Sequence, residues 1–433
     1  MPRDLVQLDV RRPATRILAI LLLILATTWA YFALRWYLGN TLAEYFNTAE
    51  SSIDMARLAA SLAPNDPLTH WRLGQVYQKK LPLDQQGQVI AEYQKAVNLS
   101  PNDYRFWMAL GTAYEQSGDH VNGEHALRQA VALAPSYSYP HWYLGNLLLR
   151  EARYDEAFAE LRIASEADTD LRPQLFNLVL QIFGADIQGI RRGVGETPGI
   201  KGEFSVYLMG QKRFEDGLVV WNSLSESEKK ENQDTGKLVV TTLINAQRFH
   251  DALSVWNSVA PNQALRAEIG QFVDGGFEEP ITQGSETVFG WQLSPAPQVQ
   301  IGIDPSKAHS GSRSLRMLFQ VRTKLDSINA SELVPVASST QYDFECYLKT
   351  EKLQSGSTPI IQITDATDGA ALAASEGAPN GDNDWSRIGL SFKTGPKTEA
   401  IRLKFVRDAC GEDQICPIFG VVWYDDFAIK RRD

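Results

Sequence analysis

Eighteen consecutive residues near the start of the chain, Ile17 to Leu34 (ILAILLLILATTWAYFAL), carry no charge. Continued past the single Arg35 through Trp36-Tyr37-Leu38, a helix over 17–38 spans roughly 33 Å at about 1.5 Å per residue, enough for a hydrocarbon layer of about 30 Å. Arg3, Arg11, Arg12 and Arg16 precede it against Asp4 and Asp9. Basic residues stay on the cytoplasmic side, so 1–16 is expected as a cytoplasmic tail, 17–38 as the anchor and 39–433 outside. Trp29, Tyr31, Trp36 and Tyr37 cluster at the exit end, where amphipathic rings favour the interface. A cleaved signal peptide is the competing reading. Its apolar region is about 7–15 residues, shorter than this run, and Ala26-Thr27-Thr28-Trp29-Ala30 makes a poor cleavage site. The expectation is a single-pass cytoplasmic (inner) membrane protein with its bulk in the periplasm or outside.

Beyond the anchor the pattern turns helical and repeats. Pro101 and Pro135 bracket PNDYRFWMALGTAYEQSGDHVNGEHALRQAVALAP, with Trp107, Leu110, Gly111, Tyr114, Leu127 and Ala130 between them. This resembles the tetratricopeptide repeat, W-x2-L-G-x2-Y followed by small and large packing residues and a closing proline. The preceding unit has Leu73, Gly74, Tyr77, Tyr93 and Ala96. The following one has Leu144, Gly145, Leu148, Ala157, Leu161 and Ala164, with Thr169 where the closing proline would stand. Three units fall within 67–170, preceded by half a unit at 44–63 continuing from the anchor. A weaker pair, GQKRFEDGLVVWNSL (210–224) and NAQRFHDALSVWNSVAP (245–261), aligns Phe214 with Phe249 and Trp221 with Trp256. Repeats are therefore expected over 39–183 and, degenerate, over 203–268. The glycine-rich 184–202 between them reads as a loop or hinge.

In that family the first helices line a concave groove. The resemblance puts Trp71, Met108 and Trp142 at equivalent groove positions, with Gln75, Gln78, Arg105, Thr112, Glu115, Tyr139 and Asn146 beside them. Such a stripe suits a peptide or an amphipathic partner helix; the alternative is that the tryptophans pack against neighbouring helices. His70 and His141 take the buried site that Trp107 fills, as hydrogen-bonded core histidines.

From about Phe272 the apolar period becomes two, in SLRMLFQV (314–321), YDFECYL (342–348) and the run Val421-Trp423-Asp425-Phe427-Ile429. Short alternating runs between Gly/Ser/Asp/Pro turns indicate an all-β sandwich over 272–433. DGGFEEP (274–280), GW (290–291), AHSGSRSLRM (308–317), DWSRIGLSFKT (384–394) and VVWYDDFAI (421–429) come in that order. They resemble a galactose-binding-like jelly roll of the carbohydrate-binding-module kind. The fold class is thus multidomain: a transmembrane helix, an all-α solenoid and a β-sandwich.

The jelly-roll resemblance implies a structural calcium where first and last strands meet, with Glu278 and Asp425 as its oxygen ligands. The alternatives are a bulge that turns Asp425 outward or a carboxylate satisfied by backbone N–H groups. For sugar stacking, Tyr347 is the first candidate and Tyr424 the second; Trp291, Trp385 and Trp423 sit within the fold's own motifs and read as packing residues. Cys410 and Cys416 can close a small disulfide outside the cytoplasm, leaving Cys346 as a thiol behaving like a small hydrophobe; an intermolecular bridge is the other option.

The net charge of −10, from 42 basic and 52 acidic residues, argues against a nucleic-acid partner. Phosphate-loop, dinucleotide, zinc-protease and nucleophile-elbow motifs do not occur in the sequence. The expectation is a non-enzymatic scaffold that binds protein partners through its repeats, in envelope or exopolysaccharide assembly. The rival is a glycan-binding protein whose sandwich recognises polysaccharide above a repeat stalk.

Overall fold

A computed structural model describes residues 13–45, 52–184, 186–279, 288–294, 299–321, 328–408, 410 and 416–432. The tail residues Arg3, Arg11 and Arg12, part of the 44–63 half-unit and the interior of the 410–416 loop lie outside them. The chain divides into two compact units, Met1–Gly195 and Glu196–Asp433.

The first unit is helical throughout: α1 (Pro13–Tyr45), α2 (Ile53–Leu62), α3 (Pro67–Lys80), α4 (Gln86–Leu99), α5 (Tyr104–Gln116), α6 (His120–Leu133), α7 (Ser138–Arg150), α8 (Tyr154–Ala167), α9 (Arg172–Phe183) and α10 (Ile187–Val194). The apolar stretch of α1 is open along its length, with Leu25 and Trp29 among its most exposed side chains. The helices α3 to α8 form three antiparallel pairs, and the glycine of each pair sets how closely its helices approach. A Cβ added to Gly74 would meet Tyr93 Cε1 at 2.5 Å, one on Gly111 would meet Leu127 Cγ at 2.6 Å, and one on Gly145 would meet Leu161 Cγ at 2.7 Å. The large partner fills the space that the missing Cβ leaves.

The closing prolines end their helices for want of an N–H, and each leaves a carbonyl to satisfy. His70 Nε2 donates to Pro64 O (2.9 Å), Trp107 Nε1 to Pro101 O (2.7 Å) and His141 Nε2 to Pro135 O (2.9 Å). His70 Nδ1 meets Glu92 at 2.6 Å and His141 Nδ1 meets Glu160 at 2.5 Å on the partner helix. Both histidines are buried, as hydrogen-bonded members of the core.

The second unit opens with α11 (Pro198–Gly210), α12 (Phe214–Asn222), α13 (Glu226–Glu231), α14 (Gln233–Asn245) and α15 (Phe249–Val259). The strands follow: β1 (Gln292–Leu293), β2 (Val299–Asp304), β3 (Ser314–Val321), β4 (Ile328–Pro335), β5 (Gln341–Ser355), β6 (Ile360–Asp365), β7 (Ala371–Ala374), β8 (Gly381–Lys393), β9 (Ala400–Val406) and β10 (Ile418–Arg431). They make two five-stranded sheets, β1-β4-β9-β6-β7 and β2-β3-β10-β5-β8, with every strand pair antiparallel. Leu315, Met317, Phe344, Ile363, Leu403 and Tyr424 fill the space between the sheets.

Two features differ from the expected layout. The 184–202 stretch holds α10 and the start of α11, with Gly193 packed close to Val179. The degenerate repeats belong with the sandwich. Trp221 and Trp256 lie in one apolar cluster with Val273, Phe289, Leu333 and Ala400, so the helices continue onto the sheet through a shared core. His250 fixes the junction: its backbone N–H donates to Glu399 Oε2 (3.0 Å) and its Nε2 to Val336 O (2.9 Å).

Candidate partner groove and candidate carbohydrate face

The helices α3, α5 and α7 carry the groove residues. Trp71 is half-buried at a pocket of about 420 Å³ that Leu68, Arg72, Arg105 and Phe106 also line. Phe106 lies 5.7 Å from its ring, and the guanidinium groups of Arg72 and Arg105 stand 4.8 and 5.8 Å from the ring centroid. The indole N–H of Trp71 is buried with no hydrogen-bond acceptor among the described residues, a costly state for a polar atom. Arg105 is held by Asp103, and that ion pair draws the Asp103 carboxyl below its usual range.

Other groove candidates are committed internally. Gln75 accepts from Arg72 Nη1 (3.0 Å), Asn146 Nδ2 donates to Trp142 O (2.8 Å), Gln78 bonds Gln116 (2.9 Å) and Thr112 Oγ1 donates to Ala109 O (2.9 Å). Glu115 pairs with Arg150. Met108 packs against the Leu127–Leu144 cluster. That leaves Trp71, Arg105, Tyr139 and the half-buried Trp142 as the side chains the surface presents. The structure joins Trp71 with Arg105 in one pocket and sets Tyr139, Trp142 and Asn146 together on α7.

In the second unit the outward face of the β2-β3-β10-β5-β8 sheet is ordered by strand register. Gly302, Arg316, Trp423 and Lys349 stand in one row, and Asp425, Tyr347 and Arg387 in another. A groove of about 580 Å³ runs over the first row, lined by Gln300, Asp304, Lys307, Arg316, Glu351 and Trp423. Trp423 forms its floor and is only 2% exposed. Its indole N–H donates to Asp304 Oδ2 (2.8 Å), and Lys307 Nζ, paired with Glu351 at 2.6 Å, covers its ring 4.0 Å from the centroid.

Tyr347 stands beside this groove. His309 stacks on it with ring centroids 3.6 Å apart and planes 12° from parallel, and Trp385 meets His309 edge-on at 5.7 Å. Asp426 holds the imidazole through Nδ1 at 2.6 Å. His309 carries no sequence signal of its own, and Trp385, expected as a packing residue, stands instead on the outer face. AHSGSRS carries no aromatic period, whereas Trp385 is out of phase with Ile388, Leu390 and Phe392, an alternation that places it on the outer face with Arg387.

Tyr424 has to be withdrawn from this face. It is 1% exposed, packed 4.7 Å from Phe405, and burial pushes its phenol well up. The reason is a slip of register. Val422 and Tyr424 point into the core, while Val421, Trp423 and Asp425 point out. A bulge between Asp425 and Ala428, with Asp426 at φ +53°, then returns Phe427 and Ile429 to the core. One bulge converts the expected single face of 421–429 into two.

The same bulge decides the proposed calcium ligands. Asp425 Oδ2 accepts from the backbone N–H of His309 (2.7 Å) and Ser310 (3.3 Å), and Oδ1 from that of Asp426 (2.8 Å). Glu278 accepts from Ser312 N (2.7 Å), Ser312 Oγ (2.6 Å) and Arg313 N (3.2 Å). Burial raises the Asp425 carboxyl; the Ser312 hydroxyl and N–H lower that of Glu278. The two carboxylates clasp the 309–313 loop from opposite ends, Asp425 filled by backbone N–H donors and Glu278 by N–H and O–H donors. Among the described residues no three or more His, Cys, Asp or Glu side chains are grouped so as to hold a metal ion. Gly275 closes the clasp: its carbonyl accepts from Phe427 N (2.9 Å), and a Cβ there would stand 2.2 Å from Phe427 O. Cys410 and Cys416 are joined in a disulfide, and Cys346 is a buried free thiol whose pKa burial raises.

An apolar N-terminal helix, tetratricopeptide-type helical repeats and a carbohydrate-module-like jelly roll thus define the class of protein. No family model matches the chain. Over 102 residues it is 35% identical to cellulose synthase operon protein C of Escherichia coli K12, and equally to the putative protein of that name from Escherichia coli O157:H7. That match covers 23% of this chain and spans only 9% of either relative's length. Among solved structures the chain is similar to the crystal structure of MamA (18% identity, TM-score 0.28, 34% of this chain and 84% of that one). It is also similar to the CBM22-1 xylan-binding domain from Paenibacillus barcinonensis Xyn10C (16% identity, TM-score 0.25, 38% of this chain and 97% of that one).

Proposed function

We propose that the chain is a membrane-anchored, extracytoplasmic, non-enzymatic scaffold that captures a partner protein along α3, α5 and α7 in the assembly of an envelope or exported polysaccharide. The observation that carries this reading is Trp71. Its ring lines an open pocket between two arginines, and its buried indole N–H still needs an acceptor, which a partner's backbone carbonyl would supply. Tyr139 and Trp142 extend the surface with rings of the kind that dominate interface energetics. The polysaccharide context is supported by the likeness to cellulose synthase operon protein C. Capture of envelope proteins by the detergent-solubilised full chain tests the reading. Trp71→Ala with Trp142→Ala is expected to lower partner affinity by about 2 kcal/mol or more, roughly 30-fold; unchanged capture by a folded double variant refutes it.

A second reading rests on the Tyr347–His309–Trp385 cluster beside the 580 Å³ groove. Rings next to Arg316, Lys349 and Asp304 combine an apolar platform with hydrogen-bonding groups, the requirement for a sugar. A glycan array probed with the full chain in detergent tests it. Binding that Trp385→Ala abolishes without a change in melting temperature supports the reading, and a blank array from folded protein counts against it.

A further inference from the structure

The helix α1 does not stop at the end of its apolar run. It continues from Arg35 to Tyr45, about three more turns, and these are bolted to the first repeats. A Cβ on Gly39 would touch Ala63 Cβ at 2.8 Å, and Ala43 is buried. Arg35 Nη2 donates to Ser61 O (2.8 Å) and Asn40 Nδ2 to Asp66 Oδ2 (2.8 Å). All these contacts lie where α2 ends and α3 begins. The apolar helix therefore enters the solenoid from the side of the α2–α3 connection, with no linker between.

That side is shared by the α4–α5 connection (100–103) and the α6–α7 connection (134–137), because successive helices alternate in direction. The ring contact of Tyr104 with Tyr137 at 5.1 Å ties these two connections together. The opposite edge, at 79–85, 117–120 and 150–153, carries Lys79, Lys80, Asp84, Asp119, Glu151 and Arg153. The first edge carries Tyr104 and Tyr137 beside the helix-capping Asp66 and Asp103.

Distance along α1 sets the depth. The last residue of the charge-free run is Leu34 and the packed glycine is Gly39, about 7.5 Å further along at about 1.5 Å per residue. A headgroup layer is about 5–8 Å thick on each side of the hydrocarbon. We infer that the edge of the solenoid carrying Asn102, Tyr104 and Tyr137 lies in the headgroup layer of the bilayer that α1 spans, with the tyrosines as interfacial anchors. Tyr137, 56% exposed, then has a reason to be an aromatic rather than the aspartate that caps α3 and α5 at the equivalent place. The groove would begin at the membrane surface, so a partner held there would be held against the bilayer.

This rests on the anchored reading, and the test separates the two. The photoreactive residue p-benzoylphenylalanine is placed singly at positions 24, 102, 121 and 137 of the full chain in phosphatidylcholine–phosphatidylglycerol nanodiscs. After irradiation, lipid adducts are read by mass spectrometry. Position 121 is the control on the opposite edge, where Val121 is 80% exposed. The expected result is lipid adducts at 24, 102 and 137 and none at 121. Adducts at 24 with none at 102 and 137 overturn the docked edge and leave the anchor standing. Adducts at 121 as strong as at 137 also overturn it, since the two edges would then be alike. No adduct at 24 removes both.

Discussion

The solenoid of the first unit and the sandwich of the second both have to satisfy polar atoms that packing has closed off from water, and they do so over very different stretches of chain. In the solenoid the carbonyls of Pro64, Pro101 and Pro135 take their donors from side chains six residues on. In the sandwich Asp425 takes its donors from a loop 116 residues earlier, and Glu278 from one 34 residues later. Local satisfaction can repeat and decay unit by unit, as Trp107 standing in for a histidine shows. The clasp at the sandwich junction forms once, and only when both ends of the domain are in place. The solenoid should therefore yield gradually to substitution and the sandwich all at once.

The largest expected effect is at the clasp. Gly275→Ala drives a Cβ against the Phe427 carbonyl, a backbone atom that cannot rotate away, and should cost about 3 kcal/mol. Urea unfolding followed by fluorescence would check this. A loss below about 1 kcal/mol would mean that the junction is looser than drawn and would break the contrast.

A smaller effect is expected at a repeat. His70→Ala leaves the Pro64 carbonyl and Glu92 Oε2 without their donor, while Lys95 still holds Oε1, and should cost about 2 kcal/mol, confined to the first unit. Hydrogen exchange would show protection lost in α3 and α4 and kept in α7 and α8. The pH dependence sharpens this. The bond to Glu92 holds the His70 pKa above its ordinary value against the opposing effect of burial. A raised histidine stabilises fully below pH 6.5 and loses that contribution as pH rises through the folded value. His70→Trp, which copies Trp107, should remove the histidine's part of the slope.

Glu332 gives the corresponding test in the second unit. It is fully buried, accepts among the described residues only from Val273 N (2.7 Å), and burial raises its pKa well above that of an ordinary carboxyl. The folded state keeps a proton that the unfolded chain releases above about pH 4.5, so its contribution falls as pH rises from there. Glu332→Gln should be near neutral at pH 4 and stabilising at pH 7. Equal effects at the two pH values would contradict a protonated Glu332. The smallest expected effect is that of EDTA, which should leave the melting temperature unchanged because the Glu278 and Asp425 oxygens are engaged by N–H and O–H donors.

The same difference in range explains what could be read ahead of the structure. The repeats are legible because Gly74, Gly111 and Gly145 recur at nearly fixed spacing, as do Pro64, Pro101 and Pro135 ahead of them, each reporting a local contact. The two sheets are legible because alternation is local to a strand. Tyr424 was misplaced because a single bulge at Asp426, invisible in an alternating run, reverses the face beyond it. His309 was passed over because its stacking partner Tyr347 and its anchor Asp426 are distant in sequence. The union of α11–α15 with the sandwich was hidden for a related reason. Trp221 and Trp256 announce a repeat, but nothing local to them shows that the next layer in their core is Leu333 and Ala400.

The central claim is that the helical surface, and not the sheet face, captures the partner protein. It is tested most directly by cross-linking the full chain in native membranes and quantifying the co-purified proteins for two variants side by side, Trp71→Ala with Trp142→Ala and Tyr347→Ala with Trp385→Ala. The first pair is expected to lose the partner and the second to retain it. Retention by the first pair and loss by the second, with both proteins folded, would contradict it and move recognition to the sandwich.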